Sequence, residues 1–101
     1  MGNRGIITTS KKDLALYLHW DGDIAFVKGL LVFTMVQGAR NPMKDGSGWC
    51  RMAQHYNNYV GHRSVGADIG PYEELRGSAD WNNGEYVIDE NWEIIERING
   101  P

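Results

Sequence analysis

The chain has little of what most function classes need. It carries one cysteine, Cys50, among 101 residues, which excludes an internal disulfide framework and makes a reducing cytosol the expected compartment. Its longest basic run is the pair Lys11-Lys12 and its formal net charge is −3, so no positive field draws it to a phosphate backbone, and general nucleic-acid binding is not expected. The acidic excess is too small and too mixed for a mimic of DNA. The most apolar stretch, Ile24 to Val36, is interrupted by Lys28 and Gly29 and is too short to cross a bilayer, so no membrane partner is expected. Met1 to Ser10 has no continuous apolar core and does not read as a signal peptide. What remains is 42% hydrophobic and holds 4 Trp and 5 Tyr, far from the composition of disordered chains and sufficient for one domain spanning residues 1–101.

Hydrophobic periodicity orders the elements. Leu14, Leu16, Leu18 and Trp20 alternate with Ala15, Tyr17 and His19, a strand pattern, and the β-branched run Gly5 to Thr9 before it predicts a hairpin turning through Ser10 to Asp13. Asp21 or Asp23 can then cap a helix that runs to Gln37 and stops at Gly38. Leu30 to Val36 alone fits a strand equally well; the caps and the overall length favour the helix. Its apolar residues cover most of the circumference, which predicts burial on more than one side. A loop over Ala39 to Gly48 leads to a second, amphipathic helix, capped by Ser47, carrying Trp49, Met52, Ala53, Tyr56 and Val60 at helical spacing, and ended by Gly61. Val65, Ala67 and Ile69 predict a third strand stopped by Gly70-Pro71, and Tyr72 to Gly84 reads as irregular. Glu85 to Asp89 and Trp92 to Ile98 predict a closing hairpin around Glu90-Asn91. The order ββ-αα-β-ββ predicts an α+β fold: a single antiparallel sheet with two helices packed on one face. The other face is left for solvent or a partner, and a homo-oligomer stays open.

No catalytic signature stands out. The densest cluster is Tyr17-Leu18-His19-Trp20-Asp21-Gly22, at a strand end running into a helix start. Such junctions favour ligands, and aromatic rings beside them can stack on a flat group; the plain alternative is that Trp20 is core, Asp21 a cap and His19 a solvated strand residue. His19, Asp21 and Asp23, with His55 or His62, lack the spacing of a zinc site or a calcium loop, so no metal is expected. Cys50 and His55 fall on different helix faces, and Cys50 reads as a small packed side chain. The carboxylates Asp80, Glu85, Asp89, Glu90, Glu93 and Glu96 read as solvated hairpin residues. Arg4, Arg40 and Arg51 stand beside small or aromatic neighbours, Arg51 near Trp49, a pairing that recognises phosphate or an acidic protein surface and that equally well solubilises a small domain. The candidate contact residues are therefore Arg4, Tyr17, His19, Trp20, Asp21, Arg40, Trp49, Arg51 and His55, with no cofactor.

Gly2-Asn3-Arg4, the Tyr17-Leu18-His19-Trp20-Asp21-Gly22 block, Gly38-Ala39-Arg40-Asn41-Pro42, Ser64-Val65-Gly66 and the closing Asn83-Gly84-Glu85-Tyr86-Val87-Ile88 with Trp92-Glu93-Ile94 resemble a set of small proteins of bacteriophages and integrative elements in Gram-positive bacteria. The resemblance spans nearly the whole chain. Where those proteins carry Asn-Gly-Gly, this sequence has Asp21-Gly22-Asp23, so a role needing a side-chain amide at position 21 is not carried over. The resemblance implies a genomic setting rather than an activity; because small phage accessory proteins without enzyme signatures often act by binding and many block host immunity, the expectation is a non-enzymatic counter-defence protein that binds a host defence protein such as a Cas-type nuclease, in the manner of an anti-CRISPR inhibitor. The helix from Trp49 to Tyr59 and the Trp81 loop would supply the surface. The alternative is a sponge for a nucleotide-type immune signal, stacked on Tyr17 or Trp20 with Arg4 or Arg40 on phosphate; a small metal- or thiol-dependent hydrolase is a remote third. The absence of a concentrated basic pocket in the sequence favours the inhibitor.

Overall fold

A computed structural model describes residues 2–60 and 66–101. The two N-terminal runs form the expected hairpin: β1 (Gly5–Thr9) pairs antiparallel with β2 (Leu14–Leu18), Ile7 opposite Leu16 and Ile6 opposite Tyr17. Lys12 makes the turn with φ 52, its N–H donating to the Thr9 carbonyl at 2.9 Å. β3 (Ala67–Pro71) extends the sheet antiparallel to β2, while β4 (Glu85–Ile88) and β5 (Ile94–Ile98) form the closing hairpin, with a bulge at Val87/Ile88. The strand order is β3-β2-β1-β4-β5.

The fold class is α+β, but the sheet is mixed, because β1 and β4 run parallel. The cause lies at the strand starts. Arg4 donates its N–H to Asn82 Oδ1 at 3.0 Å, and the Arg4 carbonyl accepts the Asn83 N–H at 3.2 Å and the Asn83 side-chain amide at 2.9 Å. The Ile6 N–H reaches the Gly84 carbonyl at 3.0 Å. Two strands pinned together at their beginnings must run in the same direction, and the residues that pin them lie nearly the whole chain apart.

Both long helices cover one sheet face, as the sequence predicts. α1 (Ile24–Val36) is capped by Asp23, whose carboxylate accepts the Phe26 N–H at 3.3 Å, and ends before Gly38 at φ 84. α2 (Ser47–Val60) begins one residue earlier than its predicted cap implies: Ser47 is its first residue, and the Asp45 carboxylate takes the Ser47 N–H at 2.8 Å. Val27, Leu30 and Leu31 of α1 and Trp49, Met52, Tyr56 and Val60 of α2 pack on Ile7, Leu16, Leu18, Tyr86 and Ile88, with Leu14 and Trp20 at the margin. Gly61, Val65 and His62, read above as a helix stop, a strand residue and a remote metal ligand, lie outside the described residues.

Four further expectations need correction. α1 is buried on one side only, at Val27, Leu30, Leu31 and Thr34, because among the described residues nothing covers its other side. The strand expected from Trp92 starts at Ile94, since Trp92 sits at φ 65 in a turn organised by Asp89 Oδ1, which accepts the N–H groups of Asn91 and Glu93 at 2.9 Å. The segment read as irregular contains a short helix, α3 (Tyr72–Leu75), and with Ala79 it covers Ile6 and Ala15 on the second sheet face. There Glu85, read as a solvated carboxylate, is 2% exposed and accepts the Tyr72 hydroxyl at 2.6 Å and the Gly77 N–H at 3.3 Å. Burial, and then the Glu85 carboxylate beside it, pushes the Tyr72 phenol up to about 12.

Candidate functional site

The structure distributes the candidate residues over three places. Tyr17 and His19, half-buried, project from the second sheet face at the end of β2, the Tyr17 hydroxyl 2.8 Å from His19 Nδ1. Arg4 is close enough for its charge to act on the Tyr17 phenol, which burial nevertheless pushes up. Gly2 lies so close to the His19 carbonyl and ring that a side chain there would clash, so the N-terminal segment covers part of the imidazole. Trp20 lies two residues past the end of β2 and packs at the margin of the main core. Its N–H donates to the Tyr56 hydroxyl oxygen at 2.9 Å, and its carbonyl accepts that hydroxyl's proton at 2.7 Å. The indole meets the His19 ring edge-on at 4.6 Å and packs against the core. Asp21 carries the chain into α1 at φ 56, and Asp23 rather than Asp21 is the cap.

Trp49 is 2% exposed and belongs to the core rather than to any surface. Cys50, expected to be packed, is exposed on α2. Arg40, Arg51 and His55 come together at a third place, lining a cavity between the end of α1 and the first turns of α2. Arg40 pairs with Asp45 at 2.8 Å. The Ser47 backbone N–H, then the Arg40 guanidinium, holds the Asp45 carboxyl down at about 2. Among the described residues no three His, Cys, Asp or Glu side chains converge as a metal site, and no helix is long and apolar enough to cross a membrane.

The chain matches no protein family, curated protein or solved structure. The site therefore rests on geometry, and geometry favours a surface that sequence reasoning passed over. α1 leaves Val36 69%, Val32 55% and Phe33 50% exposed, with Met35 and Ile24 also open to solvent. At 100° per residue, Val32 and Val36 lie opposite the buried Val27, Leu31 and Thr34. A groove on each side frames this ridge. One, of about 370 Å³, runs toward α2 between Phe26, Phe33 and Tyr59, with the Phe26 and Tyr59 rings 4.9 Å apart. The other, of about 390 Å³, lies between Val32 and Met35 and the turn carrying Trp92. Lys28 is the only charged residue on the helix. The signal for this surface was present in the sequence: a helix apolar all round exposes apolar surface wherever the chain cannot cover it.

A further exposed aromatic, Trp81, is fully open at φ 66, in the turn before Asn82 and Asn83. Those two asparagines reach back to Gly2, Asn3 and Arg4, and Arg97 donates to the Asn83 carbonyl at 2.7 Å while lying 4.1 Å over the Tyr86 ring. The turn's backbone is thus held while its indole faces solvent.

Proposed function

We propose that this chain is a non-enzymatic binding protein that works through the outer face of α1. Following its resemblance to small mobile-element proteins, we propose a host defence protein such as a Cas-type nuclease as the partner. The observation that carries the reading is the exposure of Val32, Phe33, Met35 and Val36 on one helix, flanked by Tyr59 of α2. Contiguous apolar surface of this kind marks interaction sites, and fully burying one such side chain contributes about 1.5–3 kcal/mol relative to leaving it in water. The partner presents an apolar groove or helix face that takes α1 as a ridge, with Phe33 and Tyr59 as the aromatic anchors that dominate such contacts.

The test is expression in a bacterial host whose Cas nuclease actively restricts a phage. The wild-type chain restores plaque formation and the doubly substituted Val32→Lys/Val36→Lys chain does not, at equal expression and equal thermal stability. Restriction undiminished by the wild-type chain defeats this choice of partner. Equal restoration by both chains defeats the choice of surface.

A further inference from the structure

The cavity shared by Arg40, Arg51 and His55 has a chemistry that the apolar face does not use. We infer that it is a binding site for a phosphate group. Arg51 and His55 stand one helical turn apart on α2, so their side chains lie on the same face. Arg40 joins them from the loop after α1, and Gln37 and Ser47 complete the wall. Among the described residues no carboxylate lines the cavity, and the Asp45 carboxylate that pairs with Arg40 is not part of its wall. Arg51 makes no ion pair or hydrogen bond among the described residues. His55 adds an imidazole to the same wall, its Nε2 buried without a hydrogen-bond partner.

The backbone around the cavity is mixed, the end of α1 presenting the negative end of its dipole and the start of α2 the positive end of its own. The carbonyls of Phe33, Thr34 and Met35 at the end of α1 already accept the N–H groups of Gln37, Ala39 and Gly38, and Asp45 already occupies the Ser47 N–H, so side chains supply the positive charge. Two guanidinium forks and an imidazole suit the three-oxygen, doubly charged phosphate better than a planar carboxylate. At about 210 Å³ the cavity takes the phosphate alone and not its carrier. The carrier has a place to lie: His55 also walls the groove of Phe26, Phe33 and Tyr59, and its ring meets Phe33 edge-on at 4.8 Å.

The phosphate cavity shares no residue with the outer face of α1, whereas a carrier lying in the groove would use the same Phe33 and Tyr59; the test of the cavity requires no partner protein. Inorganic phosphate is titrated at constant ionic strength into the full chain while the His55 ring and Arg51 Nε–H resonances are followed by NMR. Both shift saturably, Arg51→Gln weakens binding about tenfold or more, and Arg51→Lys recovers part of the loss. Arg51 is exposed, so neither variant alters the melting temperature. AMP is the second probe: tighter binding than phosphate assigns a nucleotide as the carrier, equal binding assigns a phosphate borne on another molecule, and either supports the site. A shift that chloride reproduces, or undiminished phosphate affinity in Arg51→Gln, overturns it.

Discussion

The two long helices lie on the same sheet face and share one core, yet they treat the outside in opposite ways. α2 buries Trp49, Met52, Tyr56 and Val60 and turns Arg51, Gln54, Asn57 and Asn58 outward, so that Tyr59 is its one large apolar side chain left exposed. α1 buries a stripe of similar width and turns outward a surface that is nearly as apolar as the one it hides. Its fourth buried residue is a threonine, whose hydroxyl donates to the Leu30 carbonyl at 2.7 Å. Selection for folding alone produces a helix like α2, so the excess on α1 belongs to something the fold does not require.

Substitutions can break or sharpen this contrast. The largest effect is expected from Trp49→Ala, which removes the largest fully packed side chain of α2 and destabilises by about 3–5 kcal/mol in a denaturant titration. Leu31→Ala follows at about 2–5 kcal/mol, establishing that the inner side of α1 is true core and that its outer side differs by position and not by helix. Asp23→Ala, which releases the Phe26 N–H at the start of α1, costs about 1 kcal/mol. For α2 the corresponding group is Asp45, and its contribution depends on acid. The folded-state carboxyl lies below its ordinary 3.8, at about 2, so its stabilisation is fully present above the ordinary value and disappears as pH falls through the folded one. Melting temperatures of the wild type and Asp45→Asn therefore differ near neutrality and converge between pH values of about 4 and about 2.

Much of this architecture was legible because it is local. The alternation of Leu14, Leu16 and Leu18, the Asp23 cap, the Gly38 stop and the period of Trp49, Met52 and Tyr56 each act within a few residues of themselves. What escaped was long-range. The parallel pairing of β1 and β4 depends on Asn82 and Asn83 meeting Arg4, and the burial of Glu85 depends on Tyr72 arriving from a segment without periodicity. The candidate site divided along the same line. The Tyr17 to Asp21 block is a visible motif, but the chain leaves β2 after Leu18, so Tyr17 packs with the second face while Tyr56 ties Trp20 into the main core. Arg40, Arg51 and His55 were each visible as candidates, while their meeting in one cavity depends on how the loop between the helices returns. For α1 the apolar excess was visible and the burial on more than one side that it predicts does not occur, because the sheet and α2 together cover only one side of it.

The smallest expected change in stability carries the most weight. Replacing Val32 and Val36 by lysine removes two exposed β-branched side chains, introduces better helix formers and places positive charge toward the C-terminal end of α1. The account predicts a melting temperature equal to or slightly above that of the wild type, together with loss of host-defence inhibition. A Val32→Lys/Val36→Lys chain that melts like the wild type and inhibits like the wild type would contradict it.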